Sequence, residues 1–207
     1  MRDVGSEKDE DEMTDKHMTT VSQHYFVDES DKSSFSIAII ELGAGTSLPG
    51  LVAAKVGSNV TLTDDSNRIE VLKNMRRVCE MNKLNCRVMG LTWGFWDASI
   101  FDLNPNIILG ADVFYDASAF DDLFATITYL LQSSPGSVFI TTYHNRSGHH
   151  LIEFLMVKWG LKCVKLVDGF SFLPHYKARE LNGNIQLAEI VLNHESPEET
   201  STSTVSD

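Results

Sequence analysis

The sequence is short of cysteine, of basic side chains and of long apolar runs, and each shortage removes a class of protein. Cys79, Cys86 and Cys163 make an odd count, and no two of them stand at metal-binding spacing. Neither a disulfide framework nor a zinc module is expected, and the simplest reading is reduced thiols. His149-His150 also lacks the H-E-x-x-H spacing, so no metal site is expected. No apolar stretch approaches the roughly 20 residues that a membrane span needs, and the acidic N-terminus carries no apolar signal core. The expectation is a chain of the cytoplasm and nucleus with no membrane partner.

Basic residues number 17 against 29 acids, a net charge of −12. The excess is localised: residues 1–34 carry −6 and residues 194–207 carry −4, while 35–193 carry only −2. A nearly neutral body has little field to steer nucleic-acid phosphates, so direct nucleic-acid binding is not expected. The expected organisation is an acidic disordered tail over 1–34, one domain over 35–193 and a second acidic disordered tail over 194–207.

What is present is alternation. Phe35–Ile40 is a short isoleucine-rich run that suits a central parallel strand buried on both faces. Further strands are expected at Asn59–Thr63, Cys86–Leu91, Asn106–Leu109, Val138–Tyr143, Leu161–Val167 and Ile185–Leu192. Helices are expected over Leu48–Val56, from a Ser66 cap to about Leu84, and around the apolar repeat Phe120, Leu123, Phe124, Ile127, Leu130, Leu131. Another is marked by Leu151, Ile152, Leu155, Met156 and Trp159 and stopped by Gly160. Strand–helix alternation predicts an α/β fold with a mostly parallel sheet. No helix pattern separates the last two strands, so the C-terminal strand is expected to run antiparallel in a seven-stranded, Rossmann-like methyltransferase arrangement.

Chemistry concentrates at strand ends. Glu41-Leu42-Gly43-Ala44-Gly45 follows the first strand, and glycines there let the backbone turn tightly against a ligand. Nineteen residues after Gly45, Asp64 ends the second strand, where a carboxylate can accept both hydroxyls of a ribose; Asp65 is the alternative. This pattern serves NAD, FAD and S-adenosylmethionine alike. Leu48 stands where a dinucleotide fingerprint has its third glycine, and Glu41 suits a cationic amino group better than a pyrophosphate. Both favour S-adenosylmethionine as cofactor.

Glu41 through Gly50, Leu91-Thr92-Trp93-Gly94 and Asp112-Val113-Phe114-Tyr115 together resemble the methyltransferase-like family of seven-stranded protein lysine and arginine methyltransferases, over about Ile39 to Leu192. The resemblance implies cofactor contacts from Glu41, Gly43, Ala44, Gly45, Asp64, Trp93 and Ala111. It implies that Asp112 and Tyr115 face the nucleophile, and that the partner is a protein substrate, with histones or chaperones as candidates. Asp112 as a helix cap, and Trp93 as core with Trp96 in its place, remain alternatives. Tyr143-His144-Asn145-Arg146 stands at the expected substrate rim. The family's N-terminal aromatic-Trp-Pro helical segment has no counterpart, because no tryptophan precedes Trp93. A shortened chain is expected to bind cofactor weakly, to have little activity and to aggregate. The rival functions are a fold-retaining interaction module and a small-molecule methyltransferase.

Overall fold

Strands and helices alternate through residues 37–144, 149–173, 175 and 185–193, the part of the chain that the computed structural model describes. They are β1 (Ala38–Glu41), α1 (Leu48–Lys55), β2 (Asn59–Asp64), α2 (Ile69–Met81), β3 (Arg87–Gly90) and β4 (Ile107–Ala111). After these come α3 (Phe120–Ser133), β5 (Val138–His144), α4 (His149–Lys158), β6 (Leu161–Asp168) and β7 (Ile185–Leu192). The expected tails, Phe35-Ser36 of the first expected strand and Asn145-Arg146 lie outside the described residues.

The seven strands form one sheet in the order β3-β2-β1-β4-β5-β7-β6. β1 pairs in parallel with β2 and β4, and β7 runs antiparallel to both β5 and β6. The sheet is thus mostly parallel with an antiparallel C-terminal strand, as the alternation predicts.

Because successive side chains of a strand point to opposite faces, the short apolar runs feed two cores. Ile39, Val60 and Leu62 meet Leu51 of α1 and Leu72 and Met75 of α2 on one face. Ile40, Leu42, Ile108 and Phe139 meet Leu123, Phe124 and Ile127 of α3 and Leu155 of α4 on the other. Each fully buried Leu, Ile or Phe contributes about 1.5–3 kcal/mol, so the sheet is held from both sides.

Local differences from the sequence reading have local causes. Ser66 does not cap α2, which starts at Ile69 behind Arg68 with no side-chain cap. Instead Asp65 Oδ1 accepts the Asn67 N–H at 3.1 Å, and the Ser66 N–H donates to Thr92 Oγ1 at 3.1 Å. The helix ends at Met81, short of Leu84, because Lys83 turns to a φ of 54°. β4 runs past Leu109 to take in Gly110 and Ala111. The link between β6 and β7 holds a short 3-10 turn, Gly169–Phe172, capped by the Asp168 carboxylate, which accepts the Phe170 N–H at 2.9 Å.

Candidate active site

The carboxyl ends of the parallel strands place Glu41, Asp64, Gly90 and Ala111 along one edge of the sheet. Chain order reverses there, since β1 leads outward to β2 on one side and neighbours β4 on the other. Open α/β sheets bind ligands in the crevice outside such a switch point.

The loop after β1 is built for close approach. Gly43 and Gly45 have φ of 57° and 49°, a region costly for residues with a Cβ. A Cβ on Gly43 would come within 2.9 Å of Trp93 Cζ2, so only glycine fits against that indole. The Ala44 N–H donates to Thr63 O at 2.8 Å, tying the loop to β2. Trp96 does not compete for this place; its ring meets Tyr129 edge-on, with centroids 5.1 Å apart.

Asp64 is joined to the same loop. Its Oδ2 accepts the Gly45 N–H at 2.9 Å, and its Oδ1 accepts the Asp65 N–H at 2.9 Å. Asp65 is engaged elsewhere: its Oδ1 accepts Thr92 Oγ1 at 2.8 Å and the Asn67 N–H. Those hydrogen bonds hold the Asp65 carboxyl below the usual carboxylate range. Of the two neighbours, Asp64 is the one in contact with the glycine loop.

On the far side of the crevice, β4 ends at the exposed Ala111. Asp112 follows in the left-handed region, at φ 53°, with its N–H donated to Thr142 O at 2.8 Å. Val113 and Phe114 are buried, and the Phe114 ring lies 5.5 Å from those of Phe120 and Phe124. This apolar pair pins the loop, leaving Asp112 and Tyr115 exposed on either side of it. Asp112 is not the cap of the next helix. That turn, Ala117–Ala119, is capped by Asp116, whose Oδ1 accepts the Ser118 N–H at 3.0 Å.

Glu41 departs from the sequence reading. It shares strand parity with Ile39, and its carboxylate lies beneath α1, only 1% exposed. Oε2 accepts the Gly50 N–H at 2.9 Å, and Oε1 has no partner. Ser47 precedes α1 but sits at φ 63° with no side-chain cap bond, so Glu41 supplies the helix cap from a neighbouring strand. Direct contact between this buried acid and a cofactor amine is not what the geometry offers.

A sequence profile described as lysine methyltransferase matches residues 13–158, well over half of the chain. The chain belongs to the lysine methyltransferase family. The family includes close relatives of two kinds. The histone-arginine methyltransferase METTL23 of Xenopus laevis is 44% identical over 130 residues, covering 62% of this chain and 56% of that protein. The protein N-lysine methyltransferase METTL21A of Xenopus tropicalis is 37% identical over 124 residues, covering 57% and 55%. Each match thus spans little more than half of the relative's length. A TehB-like S-adenosylmethionine-dependent methyltransferase from Corynebacterium glutamicum superimposes with a TM-score of 0.58, over 76% of this chain and 80% of that one. Identity there is 14%, so what is shared is the fold.

Within this member of the lysine methyltransferase family, sequence reasoning missed three residues that shape the crevice. Thr92 links the Trp93 loop to the end of β2 through Asp65 and Ser66. Thr63 Oγ1 donates to Glu41 O at 2.8 Å, locking β2 to β1 beside the loop. Gly50 lets α1 rest on Glu41 and Leu62. Thr92 and Gly50 stood inside the quoted motifs; their partners are distant in sequence, so only the fold shows their work.

The buried Glu41 gives a pH prediction. Burial pushes its carboxyl up from 4.5 to about 7; the Gly50 N–H opposes this and the nearby Asp64 charge adds to it. Folding therefore takes up a proton between those values, and the contribution of Glu41 to stability falls as pH rises from about 4.5 to about 7. Glu41→Gln stays neutral throughout. Urea unfolding from pH 4.5 to 8 should show the variant gaining on the parent by up to about 3 kcal/mol across that window. A pH-independent difference would place the Glu41 charge in a solvated setting.

Proposed function

We propose that this chain is an S-adenosylmethionine-dependent methyltransferase that modifies a lysine or arginine side chain of a protein. One observation carries the reading: the glycine loop is bonded to Asp64 and stacked against Trp93 at the switch point of the sheet. Asp64 would take the ribose hydroxyls, Gly43, Ala44 and Gly45 the methionine portion, and the Trp93 indole the flat adenine. Ala111 would close the pocket below the reacting centre.

The cofactor supplies a methyl group on a cationic sulfonium, so alignment is what the protein adds. Asp112 and Tyr115 stand where an acceptor nitrogen would enter. A lysine amine, with pKa about 10.4 in water, has to arrive neutral, and Asp112 would anchor it. For arginine, the same carboxylate would pair with the guanidinium. The METTL23 likeness favours a histone arginine, and METTL21A keeps lysine in view.

Calorimetric titration with S-adenosylmethionine tests the cofactor, and tritiated methyl transfer to core histones tests the substrate. Asp64→Ala should lower cofactor affinity well over tenfold, because buried ribose hydroxyls would lose a charged acceptor, at about 1.5–3 kcal/mol. Equal affinity in a variant with an unchanged circular dichroism spectrum removes Asp64 from the site. Label recovered only in small molecules overturns the protein substrate.

A further inference from the structure

From Val88 to Asn145 the sequence holds six aspartates, Asp97, Asp102, Asp112, Asp116, Asp121 and Asp122, and no glutamate, lysine or arginine. All six are exposed. The same stretch exposes Phe95, Trp96 and Phe101 at 66%, 44% and 55%. These aromatics lie on the link between β3 and β4, which buried Ile100 and Leu103 fasten to the core. Two of them are held in place: Trp96 and Phe101 pack edge-on against Tyr129 of α3, with centroids 5.1 and 5.7 Å away.

Beside them a groove of about 300 Å³ runs along α3, lined by Trp96, Lys158 and Trp159 together with Ala125, Tyr129 and Gln132 of the helix. Lys158 is neutralised by Asp121, with Nζ 2.7 Å from Oδ1, and the Trp159 indole N–H donates to the same oxygen at 2.8 Å. The Trp93-Gly94 pair ties the crevice to α3, the helix along which the groove runs. Trp93 packs on Gly43, while the Gly94 N–H donates to Thr126 Oγ1 of α3 at 3.0 Å and the Asp122 carboxyl lies over Gly94.

We propose that this acid-rimmed aromatic groove along α3 is the docking surface for a lysine- and arginine-rich segment of the protein substrate. The proposal rests on the reading of the chain as a protein methyltransferase and adds where the substrate is gripped. Charge complementarity selects the occupant. Guanidinium and ammonium groups stack over aromatic faces and pair with carboxylates. A nucleic acid or an anionic lipid surface would meet the aspartates as like charges, and an apolar helix would strip them of water without pairing them.

The test uses the whole chain, with fluorescein-labelled hexa-arginine as the probe and hexa-glutamate as control, read by anisotropy. Trp96→Ala should weaken hexa-arginine binding about fivefold or more, and Asp97→Asn with Asp102→Asn about threefold, more at low salt than at high. Both variants should keep S-adenosylmethionine affinity within about twofold and raise KM for a protein substrate while leaving kcat unchanged. The proposal falls if neither variant moves hexa-arginine binding, or if hexa-glutamate binds equally well. If the unsubstituted chain takes up no S-adenosylmethionine, it is the methyltransferase reading that fails; hexa-arginine binding that persists would then show a groove without that chemistry.

Discussion

Asp112→Asn should bind S-adenosylmethionine within about twofold of the parent yet lose methyl transfer by about 10²–10³-fold, the usual cost of removing one preorganised charged group from a reacting centre. Asparagine is the informative replacement because the residue sits at φ 53°, and asparagine tolerates that region nearly as well as aspartate. Alanine would add about 1 kcal/mol or more of backbone strain and confuse folding with chemistry. The loop around the change is secured independently by buried Val113 and Phe114 and by the Asp112 N–H bond to Thr142 O, neither of which needs the carboxylate. Single-turnover transfer with saturating cofactor, beside a calorimetric Kd, separates the two effects. Parent-like turnover would mean that the acceptor nitrogen is held by something else.

Gly50→Val should be the most damaging substitution to the fold. Gly50 is buried in the first turn of α1, where a Cβ would overlap Leu62 Cδ2 and Glu41 Oε2 and stand 3.3 Å from Val60 Cγ1. These atoms are side-chain ends, but Leu62, Val60 and Glu41 are all buried, so they move aside only by displacing the packing around them. Gly50→Ala should cost about 1–3 kcal/mol from overpacking, partly offset by alanine's helix preference of up to about 1 kcal/mol. The valine version adds two methyl groups to the same overlap and displaces the Gly50 N–H from Glu41, a loss large against a domain stability of 5–15 kcal/mol. Urea midpoints measure both. If valine shifts the midpoint no further than alanine, α1 lifts off the sheet at little cost.

Much of this arrangement is legible in the residues themselves. The short runs at Ile39-Ile40 and Ile107–Leu109 and the β-branched Asn59–Thr63 read as strands from their length, their β-branched content and the turn residues that flank them. Gly43, Gly45 and Asp64 declare their places by chemistry, and the crevice brings them together. What stayed hidden depends on packing between distant segments. Ser66 is a good helix cap on intrinsic grounds, yet Thr92, 27 residues beyond Asp65, organises that turn differently. Trp93 and Trp96 are indistinguishable as letters; the steric fit of Gly43 separates them. The inward aim of Glu41 follows from the strand parity it shares with Ile39, although its motif resembles a ligand loop.

The sheet order also sets a timetable for synthesis. β1 sits between β2 and β4, and the Ala38 N–H donates to Asn106 Oδ1 across 68 residues. A chain leaving the ribosome can close β1 on β2 early, but the far wall of the crevice does not exist until Asp112 has emerged. Until then the β4-facing edge of an isoleucine strand stands unpaired, an opening for mispairing with other chains. Contacts of such separation close slowly, so folding should be limited by this central pairing, whereas β6 and β7, neighbours in chain order, emerge last and pair only after β4 is available.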